Sequence, residues 1–179
     1  MLAVGDSQCE MLIRVSSRTL SLASPVFASL FSDRFAEGNV RSVNGDLPRI
    51  YLPDDDPKAM LWICCTLHFH STLQDSTDLE FIGRLAVLCN KYDLARGLHG
   101  SSNLLLQRAQ ATAPQPRDLT QLIYYSALFG SHVAFYASTL GLLSMAPTDC
   151  ITFEEASCPL GRLSERVPSM RSWPLALPY

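Results

Sequence analysis

Between Leu119 and Thr148 the chain carries no Asp, Glu, Lys or Arg. Such a run exceeds the roughly 20 residues a helix needs to cross a bilayer. It therefore leaves two kinds of molecule: one anchored in a membrane through residues 119–145, or one with two helices packed into a hydrophobic interior. The residues inside the run favour the second. Gln121, Tyr124, Tyr125, His132, Tyr136 and several hydroxyls dilute it, and Gly130-Ser131 interrupts it. Two short buried helices fit better, one capped by Asp118 with Leu119, Leu122, Ile123 and Leu128, the other from about His132 through Phe135, Leu140 and Leu143. Both read as hydrophobic nearly all round, and no membrane association is expected.

An interior of that kind needs apolar material, and the chain has it. Of 179 residues 47% are hydrophobic and 17% charged, which excludes wholesale disorder. A formal charge of -3 is the wrong sign for a dedicated nucleic-acid binder. The six cysteines follow no basic, apolar leader, so they are expected reduced, and the chain intracellular, cytoplasmic or nuclear, and not secreted.

The remaining elements follow from periodicity and punctuation. Met1 to Val4, before Gly5-Asp6-Ser7, reads as a first strand and turn. In the second strand Cys9, Met11, Ile13 and Val15 share one face while Glu10, Leu12 and Arg14 share the other. Ser16 or Ser17 caps a short helix through Leu22. Ser24-Pro25 then opens another, with Val26, Phe27, Leu30, Phe31 and Phe35 as its stripe and Glu37-Gly38-Asn39 as its stop. Arg49 to Leu52 is a third strand ended by Pro53. A helix from Pro57 presents Met60, Ile63, Cys64 and Leu67 and ends near His68-Phe69-His70. Thr77-Asp78-Leu79-Glu80 matches a capping box before the stripe Leu79, Ile82, Leu85, Ala86 and Cys89, closed by Tyr92. Leu94 to Leu98 extends as a short helix stopped at Gly97 or Gly100. Leu104-Leu105-Leu106 starts another, and Ala113 to Pro116 is a connector.

Three constellations invite a chemical reading. Asp54-Asp55-Asp56 lacks the alternating ligands and turn glycine of a cation loop, and reads as a helix start capped by Asp56. His68 and His70, near Cys64 and Cys65, have no second pair at zinc-site spacing, so no metal is expected. Cys89 or Cys150 with His99 or His132 could in principle make a thiol hydrolase. Cys89, however, lies on an apolar stripe where a thiol is inert, so no catalytic residue and no cofactor is expected.

The order of Ile13 to Ser17, Leu20 to Phe27, Phe35 to Gly38, Leu52 to Met60 and Asn90 to Leu94 resembles the BTB/POZ domain, most of all its filamentous-fungal branch. Leu119 to Leu143, with Phe135 and Thr139, is similar to the helical region that follows the domain in those proteins. The resemblance implies an α+β, mainly helical fold, in which a small sheet caps a cluster of helical hairpins. It implies a BTB/POZ domain over 1–98 and, more loosely, a helical extension within 118–167; the prolines themselves set a helix and Pro-containing connector over 99–117 and an irregular tail over 168–179.

In function it implies a non-catalytic protein–protein interaction module with protein partners: a homodimer, and a cullin-type ubiquitin-ligase scaffold or transcriptional co-repressors, with the chain as adaptor. The expected dimer face is the first strand and first helix, around Leu2, Val4, Leu20 and Leu22. With Met1 read as already in the first strand, a strand-exchanged dimer of the kind some members form is not expected. Ser16-Ser17 stand where the metazoan pattern has a His-containing dipeptide, so cullin-binding residues are not carried over one by one.

Overall fold

A computed structural model describes residues 1–6, 10–32, 49–70, 78–112 and 115–145. The chain divides into two units, Met1–Ala146 and Pro147–Tyr179, and every described element lies in the first. Cys9, Phe35, the stop at 37–39, Thr77, Cys150, and the extension and tail from 146 onward lie outside the described residues.

The described residues form three short strands and seven helices, an α+β fold that is mainly helical. Strands β1 (Leu2–Val4), β2 (Met11–Ile13) and β3 (Ile50–Leu52) make one sheet in the order β2-β1-β3. β1 pairs antiparallel with β2, Ala3 opposite Leu12, and parallel with β3, Ala3 opposite Tyr51. As the central strand β1 is buried on both faces, which a run of Leu, Ala and Val permits and an alternating strand would not. β2 does alternate, Leu12 outward and Ile13 inward, as its sequence requires. Gly5, at φ 98°, turns the chain out of β1 while its N–H reaches Leu52 O at 3.0 Å.

Hydroxyls and carboxylates start the next helices where the sequence places them. Ser16 caps α1 (Ser17–Ala23), its Oγ accepting from Thr19 N, and Ser24 caps α2 (Pro25–Leu30), accepting from Phe27 N at 3.0 Å. Asp56 caps α3 (Pro57–Leu67), accepting from Ala59 N at 2.7 Å. Proline stands at the first position of α2 and α3, where its missing N–H costs nothing. α2 is shorter than its stripe suggested. It ends at Leu30 because Ser32 draws the Ser29 carbonyl into a 3.0 Å backbone bond and a 2.6 Å hydroxyl bond.

Helix α4 (Leu79–Lys91) is capped by Asp78, whose carboxylate accepts from Glu80 N; the cap is one residue later than a Thr77 capping box would place it. α5 runs unbroken from His99 to Thr112, straight through the expected stop at Gly100. A glycine inside a helix weakens it by only about 1 kcal/mol, and Ser102, Leu105, Leu106 and Ala109 bury a face that outweighs this. α6 (Pro116–Leu128) starts at Gln115 and not at Asp118. Pro116 fixes the first helical φ two residues earlier, and Asp118 becomes a first-turn carboxylate facing the helix dipole. α7 is His132–Ser144, capped by Ser131.

Three helices close with the same backbone device. After α3, α4 and α6 the residues Phe69, Asp93 and Gly130 turn left-handed, at φ 59°, 49° and 67°. The next N–H then bonds back across the turn: His70 to Cys65 O, Leu94 to Cys89 O and Ser131 to Ser126 O, all at 2.8–2.9 Å. Only the last of the three uses the glycine that this conformation prefers.

One core runs from the sheet to α7. It joins Leu2, Val4, Leu20 and Phe27 to Met60 and Ile63 of α3, Ile82 and Leu85 of α4, Leu106 of α5, and Leu122, Phe129 and Ala134. The cluster includes residues on both sides of 98/99 and of 117/118. Phe27 stacks on Tyr92 with centroids 4.4 Å apart. α4 approaches α6 closely enough that a methyl at Gly83 would lie 2.7 Å from the Tyr125 hydroxyl.

Candidate interaction surface

Several of the described side chains that could do chemistry, Asp55, His68, Cys64 and Cys89 among them, are engaged in holding the fold. Asp55, 4% exposed, places Oδ1 2.6 Å from Lys91 Nζ and accepts from the Tyr92 hydroxyl through Oδ2. It thus fastens the start of α3 to the end of α4. Burial, followed by the hydrogen bond to Asp55 and the charges of Asp55 and Asp54, drives the Tyr92 hydroxyl far above its ordinary pKa. Asp56 adds an ion pair to Arg84 at 3.2 Å. The middle carboxylate is therefore a buried structural anchor, which the sequence, reading all three as helix-start charge, did not reveal.

His68 is a bracket of a similar kind. Its Nδ1–H donates to Cys64 O at 2.7 Å, and Nε2 accepts the Ser16 N–H at 2.9 Å. This ties the end of α3 to the cap of α1 and requires the neutral ring, since the carbonyl accepts and the amide donates. The buried thiols are quiet. Burial, with Cys65 beside it, pushes Cys64 from 9.0 up to about 12. Burial also pushes Cys89 up to about 12, the Leu94 amide pulling slightly down and Asp93 slightly up. At neutral pH both are thiols and weak nucleophiles. His99 pairs with Asn103 at 3.1 Å, and His132 is exposed at the start of α7. No group of three or more metal-binding side chains occurs among the described residues.

The expected dimer residues separate sharply. Leu2, Val4 and Leu20 are all 0% exposed, packed inside a single chain, while Leu22 is 82% exposed. Three of the four are thus core residues, because β1 is covered on both faces and Leu20 is the inward residue of α1. The correction matters for function: a second copy cannot reach them in this fold.

Among the exposed apolar side chains, which also include Leu12, Leu22, Tyr51 and Phe69, the largest group on one described helix is on α7. Its inward line is small and polar: Ser131, Ala134 and Ser138 are buried, and Gln110 of α5 donates to Ala134 O at 2.8 Å and to Ser138 Oγ at 2.7 Å. A Cβ on Gly141 would touch Leu119 of α6 at 3.4 Å. Ser131 caps the helix and also donates to Asn103 Oδ1. These short side chains let α7 approach α5 and α6 closely, and the long ones are left outside. Val133 is 69% exposed, Tyr136 66%, Leu140 47% and Leu143 67%. The expectation that α7 is buried nearly all round, through Phe135, Leu140 and Leu143, is thus corrected: Phe135 is 43% exposed, and Leu140 and Leu143 are exposed as well.

The described part of the uncharged run therefore falls in two helices, the last ten residues of α6 and the 13 of α7, turned at Gly130. Among the described residues no helix is long and apolar enough to cross a membrane. No protein-family model matches the chain, and no curated protein is significantly similar to it.

Proposed function

We propose that this chain is a non-catalytic protein–protein interaction module of the BTB/POZ type, acting as an adaptor or scaffold for a cullin-type ubiquitin ligase or for transcriptional co-repressors. One observation carries the reading. The chain exposes a continuous apolar face on α7, while its buried thiols, His68 and Asp55 are consumed in packing and hydrogen bonds. Exposed apolar surface of this kind marks association sites. The order strand, strand, helix, helix, strand, helix, helix, with a small sheet against helical hairpins, is the arrangement that the resemblance implies.

The test is calorimetric titration of the purified full chain with the N-terminal domain of a cullin and, separately, with co-repressor fragments. Micromolar binding to either is expected. Absence of binding to both, together with a fast-reacting thiol in a native labelling assay, overturns the reading.

A further inference from the structure

We propose that the outward face of the three-stranded sheet docks an acidic, extended segment of a partner protein, with carboxylates on Arg14 and Arg49 and an apolar side chain on Leu12 and Tyr51. The proposal rests on the reading of the chain as an interaction module and gives it a surface and a chemical class of partner.

Strand alternation sets the face. Along β2 and just past it, Ile13 is buried while Leu12 and Arg14 are exposed. Along β3 and just before it, Ile50 and Leu52 are buried while Arg49 and Tyr51 are exposed. The register aligns the exposed side chains in rows across β1. Leu12 and Tyr51 both stand opposite Ala3. One step along the same register, Arg14 and Arg49 flank Met1, whose carbonyl accepts the Ile50 N–H at 3.0 Å. The Met1 amine feels both: burial first, then the charges of Arg14 and Arg49, hold it below its ordinary pKa.

Like charges are thus gathered where they repel. The chain as a whole carries a formal charge of -3, so this cationic corner runs against its overall sign. Among the described residues the ion pairs join Arg84 to Asp56 and Glu80, and Lys91 to Asp55; Arg14 and Arg49 enter none of them. Glu10, which alternation puts on the same face, is about 13 Å from Arg14 along the chain of β2. An anion arriving from outside relieves the repulsion, and a guanidinium holds a carboxylate through paired N–H donors.

The neighbouring row selects the class of anion. The cationic and apolar rows lie two residues apart along the strands, about 7 Å, the spacing of alternate side chains in an extended peptide. Lipid surfaces are held by clusters of roughly four to eight Lys or Arg, and nucleic acids by basic domains. Two arginines beside Leu12 and Tyr51 fit a short acidic and apolar segment instead.

The test is fluorescence anisotropy of the full chain with a labelled peptide carrying two adjacent glutamates and a leucine two positions beyond them. We expect saturable binding with a Kd on the order of 100 micromolar that added salt weakens. Arg14→Gln with Arg49→Gln should weaken it about fivefold, the worth of two exposed ion pairs, with circular dichroism unaltered. Tyr51→Ser should weaken it as well. Arg96→Gln with Arg117→Gln removes the same charge from other exposed positions and should leave binding unchanged.

A peptide that does not saturate by about 1 mM overturns the proposal. So does an equal loss in the two double variants, which marks attraction to charge in general. Flotation with phosphatidylserine vesicles, abolished by Arg14→Gln with Arg49→Gln and unaccompanied by peptide binding, overturns it in favour of lipid. A dimer in sedimentation equilibrium that the same pair disrupts overturns it in favour of a second copy. Binding of the cullin domain without the peptide defeats this surface and leaves the module standing. Binding of the peptide with neither the cullin domain nor the co-repressor fragments supports the surface and defeats the adaptor reading.

Discussion

Helices α4 and α7 are the same length, 13 residues, and pack against the same body in opposite ways. α4 buries Ile82, Leu85 and Leu88 and turns Glu80, Arg84 and Lys91 to solvent. α7 buries Ala134 and Ser138 and turns Val133, Tyr136, Leu140 and Leu143 outward. In α4 hydrophobicity chooses the inward face. In α7 size chooses it, because small residues let it lie close to α5 and α6, where Gln110 satisfies the polar groups that approach buries. An apolar helix can thus be held by its least apolar side and leave its larger side chains exposed.

That contrast breaks most sharply on deletion of a leucine from each helix. Leu85→Ala should cost about 2–5 kcal/mol by urea denaturation, since it opens a cavity in the core. Leu140→Ala should stay within about 0.5 kcal/mol, as for an exposed position. Equal losses would mean that α7 is covered within its own chain.

Enlarging the inward line of α7 gives the next largest effect. Ser138→Leu should destabilise by about 1–3 kcal/mol, through overpacking and loss of the Gln110 bond. The outward Leu143→Lys should leave the urea midpoint unchanged. A tolerated Ser138→Leu would show that the close approach of α7 does not depend on small residues.

High pH should separate the two regions as well. Cys64, Cys89 and Tyr92 all have folded pKa values above their unfolded ones, so folding holds their protons more tightly. Their contribution is fully present below about pH 9 and is lost as pH rises toward 12. The melting temperature should therefore fall above pH 9, with amide exchange in α3 and α4 accelerating. A melting temperature that is flat to pH 11 would contradict the burial of these groups.

The smallest effect is a gain. Phe69 is 96% exposed in a left-handed conformation that costs a side chain about 1 kcal/mol, and Gly130 holds the corresponding position after α6 without that cost. Phe69→Gly should raise stability by up to about 1 kcal/mol in the same denaturation assay. A loss would show that the aromatic ring makes a stabilising contact.

The sequence by itself determined the parts ruled by short-range chemistry. Ser24 and Asp56 cap where the sequence places them, and Ser16 is one of two adjacent serines able to cap α1, because a hydroxyl or carboxylate reaches an amide three residues on whatever surrounds it. The alternation of β2 and the stripe of α4 were legible for the same reason, as was the division of the uncharged run at Gly130. Tertiary structure alone decided which competing groups found partners. It buried Asp55 of three equal carboxylates, because Lys91 and Tyr92 stand across from it 36 and 37 residues on. It drew Leu2, Val4 and Leu20 into the core, leaving only Leu22 of the expected dimer face outside. It also chose the face of α7, where both sides are uncharged and periodicity gives no preference, so the fit against α5 and α6 settled the matter.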